Sequence, residues 1–547
     1  MHSIYAGKRA KLRTLIACGH TSPDRTRGIE VRAIRKDGIR LSLWDMAGHQ
    51  EFHAFHDCMF PDIGTSSYQA PSLFMFVWSP MHSQTSKKGK KKEIKEFEAS
   101  FRYWLKFLAS KSPRSNIAIK VIVVLTRLDQ MNIVASAVSA SINSLRSEFK
   151  DVIDIAYPPF EVDARKKESV KAVSEMIFKT SKEMLEGVQV YGICKDVSEH
   201  LSKYLKTSKR RIITWSEFIE ICKHLPIPND DAKLKAIALS LNDSGIIIYV
   251  NNIGYIVLHP NWFCNQIMGS LIHFSESKAC KTIDIHGFTT RVFLQAKLEL
   301  LTKSEVKGSL LVDLMEAMHL CCKVPNGLGV SISDEDHLFI PATLTDPREL
   351  YVGVDQLRWR SSTPYNSDDN TYVYMGRRLE CENKDLNFLT PGLFPRIQVL
   401  FNIVFQQDQV NADVILRKDS ISICVEMMEI IVVFCRTKSD HAIDVLIRAP
   451  NNSQEDMAWA VSYVEERIIY TLITVCAQPT GIQGVKLVES VIRPDSLHDP
   501  SMTRNRDQCV EMNYLKQRLR QQLEQGHPPC YVWKETKSMP MFRTTSF

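Results

Sequence analysis

One stretch constrains the fold more than any other: residues 39–52, IRLSLWDMAGHQEF. Leu41 and Leu43 alternate with polar neighbours and lead through Trp44 to Asp45-Met46-Ala47-Gly48. A buried strand with this pattern delivers a carboxylate and then a glycine to its C-terminal end. In open α/β sheets, ligands bind at that end of the strands. An aspartate there holds a magnesium ion, usually through a water. A glycine one turn later lets a backbone N–H approach a terminal phosphate. Residues 29–34 and 39–44 read as a hairpin joined by Lys36-Asp37-Gly38, where glycine takes positive φ without steric cost.

Neighbouring runs ask for the same sheet. Residues 72–79 (SLFMFVWS) and 119–125 (IKVIVVL) are near-continuous apolar runs, as strands covered on both faces require. Residues 93–110 form a helix with Phe97, Phe101, Trp104 and Leu108 on one stripe, and residues 167–185 form a closing helix. The 119–125 strand ends in Thr126-Arg127-Leu128-Asp129, and a short strand at 160–162 precedes Asp163-Ala164-Arg165. Near the start, Leu12, Leu15 and Ile16 take helical spacing in a segment opened by Gly7-Lys8, and Thr26 lies eighteen residues after Lys8.

In this order, the motifs resemble those of GTP-binding proteins with a Ras-like P-loop G domain. Asp45-x-x-Gly48 is similar to their switch II, and Thr26 lies at a similar interval to the switch I threonine. Thr126-Arg127-x-Asp129 resembles N/T-K-x-D, whose aspartate accepts from two guanine nitrogens while the basic stem packs over the ring. Arg127 replaces lysine and still stacks through its planar guanidinium. Asp163-Ala164-Arg165 is similar to the S-A-K/L turn, with Asp163 in the usual serine's place. The resemblance implies an α/β fold binding GTP or GDP with Mg2+. Thr26 and Asp45 would serve the metal, Gly7, Lys8 and Gly48 the phosphates, and Thr126, Arg127, Asp129 and Ala164 the base. His49 would orient the attacking water, as a histidine does in translational GTPases; Gln50 is the other positioner, and an exposed histidine on a switch loop is the plain alternative.

The phosphate loop departs from the pattern. G-x-x-x-x-G-K-S/T ending at Gly7-Lys8 puts His2 at the first glycine and Arg9 at the hydroxyl. Arg9 cannot ligate magnesium, and His2 lacks glycine's backbone freedom. Either the loop is degenerate or the domain is N-terminally truncated and starts upstream; the better-preserved downstream motifs favour the second.

Past residue 190 the pattern changes. Helices at 194–205, 214–225 and 231–241 lead to a hairpin at 246–250 and 255–258, which together describe a winged helix. The helix before the wing carries only Lys233 and Lys235, a poor phosphate-contacting surface, so no nucleic-acid partner is expected. Leu258-His259-Pro260-Asn261-Trp262, Leu338-Phe339-Ile340-Pro341-Ala342 and Gly392-Leu393-Phe394-Pro395-Arg396 resemble signatures of the COR domain. That domain follows the Roc GTPase domain in the Roco family, and the order is most similar to a plant type of Roco protein over about residues 5–480. The family resemblance implies a switch that dimerises through COR, hydrolyses GTP slowly and meets other signalling proteins. It also implies upstream leucine-rich repeats, which this sequence does not contain. No H-R-D or D-F-G follows, which excludes the kinase-bearing branch. A nucleotide-blind scaffold, motivated by Arg9 and His2, is the other reading.

The expected organisation is a Roc-type GTP-binding domain at 1–188, a helical COR half with the winged helix at 189–345, a COR half with an antiparallel sheet at 346–480, and an extension at 481–547. Residues 397–405, 412–416, 421–425, 430–435 and 443–447 read as strands, covered by a helix at 455–475. Residues 508–525 read as a helix too short for a coiled coil, and the last twenty residues as a disordered tail.

Composition narrows the classes. At 44% hydrophobic and 24% charged, the chain has the make-up of an ordinary globular protein. It has no run of eighteen apolar residues and no signal-peptide core at the N-terminus, so a cytoplasmic location is expected. Fourteen cysteines without a C-x-x-C read as reduced thiols, with Cys321-Cys322 on an apolar helical run. The net charge of +7 is mild. The lysine run at 87–92 reads as a solvated loop and is the one candidate for contact with a membrane or an acidic partner.

Overall fold

The computed structural model describes residues 2–7, 29–36, 38–46, 72–80, 94–112, 119–126, 135–163, 165–186, 192–226, 230–249, 254–269, 287–324, 336–344, 359, 372–407, 412–425, 428–436, 441–450, 454–478, 481–493, 497 and 509–525. Seven strands build the first sheet: β1 (His2–Gly7), β2 (Ile29–Lys36), β3 (Ile39–Met46), β4 (Ser72–Trp78), β5 (Ile119–Thr126), β6 (Ile153–Ile155) and β7 (Phe160–Val162). Their order is β2-β3-β1-β4-β5-β6, with β7 beside the C-terminal half of β5. β2 pairs antiparallel with β3, and the pairings of β1 with β3 and β4, and of β5 with β4, β6 and β7, are parallel. This is the open α/β fold that the apolar runs require, since a parallel sheet needs cover on both faces. Helices α1 (Ile94–Lys111) and α2 (Ala135–Glu148) cover one face through Phe97, Phe101, Val138 and Ile142. Helix α3 (Lys167–Leu185) covers the other through Val173, Ile177 and Phe178. His2–Gly7 takes the central position, between β3 and β4.

The winged helix follows, with α4 (Gly192–Ser208), α5 (Trp215–Lys223) and α6 (Asp231–Asp243) beside a small sheet. That sheet runs β8 (Ile212–Thr214), β10 (Tyr255–Val257), β9 (Ile248–Tyr249). Thr214, expected in the helix, ends β8 and caps α5 in a reciprocal box with Glu217. A π-helical segment, Trp262–Met268, leads on to β11 (Phe288–Thr290), α7 (Arg291–Leu301), α8 (Gly308–Ala317), β12 (Cys322–Lys323) and β13 (His337–Phe339). Cys321 and Cys322 lie beyond α8, not on a helix. Burial pushes both thiols up, Cys322 to about 12.

A second seven-stranded sheet is antiparallel throughout: β14 (Tyr372–Cys381), β15 (Ala412–Arg417), β16 (Ser420–Val425), β17 (Met428–Arg436), β18 (His441–Pro450), β19 (Leu487–Ile492) and β20 (Cys509–Glu511). Its order is β15-β16-β17-β18-β14-β19-β20. The run at 397–405, expected as a strand, belongs to helix α9 (Leu393–Gln407). Buried on several sides, it shows no period that separates helix from strand. A helical stretch at 454–477, interrupted by a π-helical segment (Val464–Ile469), packs beside α9. Within the expected extension, β19 and β20 extend this sheet, and helix α10 (Met512–Glu524) packs Met512, Leu515 and Leu519 on Val491. The expected tail at 528–547 lies outside the described residues.

The end of α1 is pinned to the second half of the chain. Lys111 Nζ donates to the Gly481 carbonyl (2.8 Å), the Phe388 N–H to Ser110 Oγ (3.0 Å), and the Gly484 N–H to the Ser110 carbonyl (3.0 Å).

Candidate functional site

Because β1, β3, β4, β5 and β7 are parallel, their C-terminal ends share one rim, and it carries Gly7, Asp45, Trp78, Thr126 and Asp163. β1 lies where the chain's connections reverse direction, with β3 on one side and β4 on the other, the place where open α/β sheets form their binding crevice. In register, Asp45 stands opposite Ala6, Gly7 opposite Phe76, Trp78 opposite Leu125, and Thr126 opposite Val162. Three strand spacings, about 14 Å, separate β3 from β5.

Each described rim residue has a local cause. Asp45 is buried on β3 opposite Glu30 of β2, and the Glu30 carboxylate accepts from Arg32 Nε at 2.6 Å. Thr126 is buried, and its hydroxyl donates to the Trp78 carbonyl at 3.1 Å, tying the end of β5 to that of β4. Asp163 accepts from the guanidinium of Arg165 at 2.9 and 3.0 Å and from its backbone N–H at 3.1 Å, and these bonds lower its carboxyl to about 2. Its own N–H donates to Ser169 Oγ at 3.1 Å. Aspartate here builds the same side-chain-to-backbone turn that a serine builds, so the departure from serine preserves the turn.

The other candidates, Lys8, Thr26, Gly48, His49, Gln50, Arg127, Asp129 and Ala164, lie outside the described residues. In sequence each stands one to four residues from a strand end on this rim, including the start of β2, where Ile29 pairs with Met46. A phosphate loop runs strand, loop, helix, so the glycine ending the strand is the loop's first glycine. β1 ends at Gly7, five positions earlier in the motif than its second glycine. Counted from Gly7, the closing G-K-S/T positions of such a motif would fall on Leu12, Arg13 and Thr14. Reading HSIYAG as a strand would have found Arg13 and Thr14, but the run is short and only weakly apolar.

The donors present suit magnesium. That ion is held by one or two protein oxygens with waters and substrate phosphates completing the shell, and Asp45, at the rim, would supply one such oxygen. Among the described residues, no group of three or more His, Cys, Asp or Glu gathers as a metal cage would require. Among the described helices, none is long and apolar enough to cross a membrane.

No family model matches the chain. It is 28% identical over 525 residues to Protein TORNADO 1 of Arabidopsis thaliana, covering 90% of this chain and 35% of that protein. It is 25% identical over 276 residues to the death-associated protein kinase dapk-1 of Caenorhabditis elegans, covering 45% of this chain and 18% of that one. The chain therefore spans about a third of the length of the first relative and under a fifth of the second. Among solved structures, the Roco2 RocCORdC of Methanosarcina barkeri bound to GDP overlays with a TM-score of 0.39 at 18% identity, over 63% of this chain and 95% of that one. The Arl6 BBS3 small GTPase of Trypanosoma brucei with GppNp gives 0.24 at 13% identity, over 34% and 98%. The fold assignment rests on the strand order, not on overlays this loose.

Proposed function

We propose that this chain belongs to the Roco family and is a guanine-nucleotide-binding switch of the Roc-COR type, a reading supported by its similarity to Protein TORNADO 1 over 90% of its length. The observation that carries the reading is the shared rim, where Asp45 and Thr126 stand on one edge of one sheet, three strands apart, with β1 between them. Asp45 and a hydroxyl, Thr26 or Thr14, would hold Mg2+. Gly7, Lys8, Arg13 and Gly48 would meet the phosphates, while Thr126, Arg127, Asp129 and Ala164 would form the base side. His49 or Gln50 would orient the attacking water. Hydrolysis of GTP would be slow in isolation, because charge stabilising the transferred phosphoryl group is often supplied in trans. The switch would work in the cytoplasm as a homodimer through the COR half, with other signalling proteins as partners. The winged helix offers little to nucleic acid: Lys235 pairs with Asp231 at 2.8 Å and Lys233 with Asp230 at 3.9 Å. Any membrane contact would fall to the lysine run at 87–92.

Calorimetric titration of GDP with Mg2+ into the full chain tests the reading. Asp129→Asn should weaken guanosine diphosphate and strengthen xanthosine diphosphate, and equal loss of both would sink the base assignment. Leu12, at the second-glycine position, favours the second reading, a nucleotide-blind scaffold. The absence of any GDP binding would select it.

A further inference from the structure

We infer that the winged helix and the segment that leaves it are the positioning element for the metal side of the site, acting through Gly245 and Asn261; the inference rests on the nucleotide-binding reading above. Among the described strands β2 is the sheet's outer one, and its outer side presents a row of backbone groups that must find partners. The Val31 N–H donates to Asn261 Oδ1 at 2.9 Å, across 230 positions of sequence. Asn261 is half-buried and sits at the entry to the Trp262–Met268 segment. That segment is anchored by buried Trp262, Phe263 and Ile267 and by the Trp262 N–H donating to His259 Nδ1 at 3.0 Å.

The inner strand of the hairpin is held as well. Trp44 stands opposite Val31 in register, and its ring lies against Gly245. A Cβ at Gly245 would come 2.6 Å from Trp44 Cζ2 and Nε1, and φ there is +63°. Gly245 is fixed in turn by the end of α6, where its N–H donates to the Asn242 carbonyl at 2.8 Å. Ile29 and Trp44 share one apolar core with Ile248, Val257 and Trp262. Toward the hairpin's far end, Arg40 Nη1 donates to Ser198 Oγ of α4 at 3.1 Å.

The hairpin is thus gripped along its length by the segment between Ser198 and Trp262. Its open end carries the described metal candidate, with Glu30 paired to Asp45 and Ile29 to Met46; in sequence Thr26 precedes Ile29 by three residues. A slip of one residue would turn every side chain of the strand to the opposite face, Asp45 included. The base side is built differently, by bonds within the first sheet's own domain at Thr126 and Asp163. Loosening the grip should therefore weaken metal-dependent retention of nucleotide and leave base recognition alone.

The test uses the full chain loaded with a fluorescent GDP analogue, with release followed across a Mg2+ titration and in EDTA. Asn261→Ala should raise the Mg2+ concentration needed to retain the nucleotide by about five- to tenfold, the worth of one hydrogen bond, with release in EDTA unchanged. Asn261→Asp should restore the wild-type midpoint, because a carboxylate accepts the same N–H. Gly245→Ala should shift the midpoint in the same direction. Lys111→Met, at the separate contact with Gly481, should lower the melting temperature and leave the Mg2+ midpoint in place. An unchanged midpoint in both Asn261→Ala and Gly245→Ala, or equal acceleration in Mg2+ and EDTA, would overturn the inference. A wild-type chain that never takes up the analogue would overturn the nucleotide reading, and this inference with it.

Discussion

Asp444 is a fully buried carboxylate, and its partner sits 66 positions away. Arg378 Nε and Nη2 donate to its two oxygens at 2.7 and 2.8 Å. Burial works against the Arg378 charge, yet these paired bonds win and raise its pKa. Asp444→Ala would leave a guanidinium buried without its carboxylate, so it should cost about 3–5 kcal/mol of stability, read from the urea midpoint. Replacing both residues with apolar side chains of similar volume should cost far less. His319 carries a pH effect. Burial, with Arg396 adding, lowers its pKa to about 4, so the folded chain holds it neutral. The unfolded histidine takes its proton near 6.5, so the unfolded state binds more protons between the two values. This contribution is therefore complete above about pH 6.5 and is lost as pH falls toward 4. His319→Asn, which tolerates the positive φ of 55°, should flatten part of the drop in urea midpoint between pH 7 and 4.5. Asp45 and Thr126 were legible in the sequence because each ends an apolar run in a short motif. Asp444 was not, because a charge within an alternating strand reads as solvent-facing until its partner strand is known.

Local chemistry decided which elements could be read. The β2–β3 hairpin was visible because Asp37-Gly38 specifies its turn, and Gly38 does take φ +76°. β14 was invisible because Arg377, Arg378 and Glu380 break its apolar pattern. Arg377 pairs with Glu465 at 2.9 Å, and Arg378 with Asp444, so those charges are satisfied by elements far away in sequence. α9 misled for the opposite reason, since several of its faces are buried and β-branched residues then carry no period. One contact between elements is sharply testable. A Cβ at Gly484 would lie 2.1 Å from the Ala109 carbonyl oxygen and 2.2 Å from that of Ser112, both backbone atoms that cannot swing aside. Gly484→Ala should therefore cost about 1–3 kcal/mol and expose the Ser110 region of α1 to faster amide exchange. Unchanged exchange there would mean that the turn and the helix are not held together in solution.

The whole molecule is less divisible than its motifs suggest. The sequence separates a first domain at residue 188, because the motifs end there and a helical pattern begins. Packing crosses that line: one core runs from Phe76 and Phe101 through Trp44 to Trp262, Leu311 and Leu338. Periodicity reports which face of an element is apolar and not what covers it, so this continuity could not be read in advance. The proposed dimer is tested at this scale by light scattering, which should give twice the chain mass and revert to one when the second sheet's half is removed. The shared wall has a practical corollary for anyone dissecting the chain. Scissors at residue 188 would leave a greasy flank around Trp44 bare to water, and bare flanks of that kind stick to one another. The excised piece should collect in the pellet, whereas a cut after residue 344 keeps the flank dressed and the piece in the supernatant.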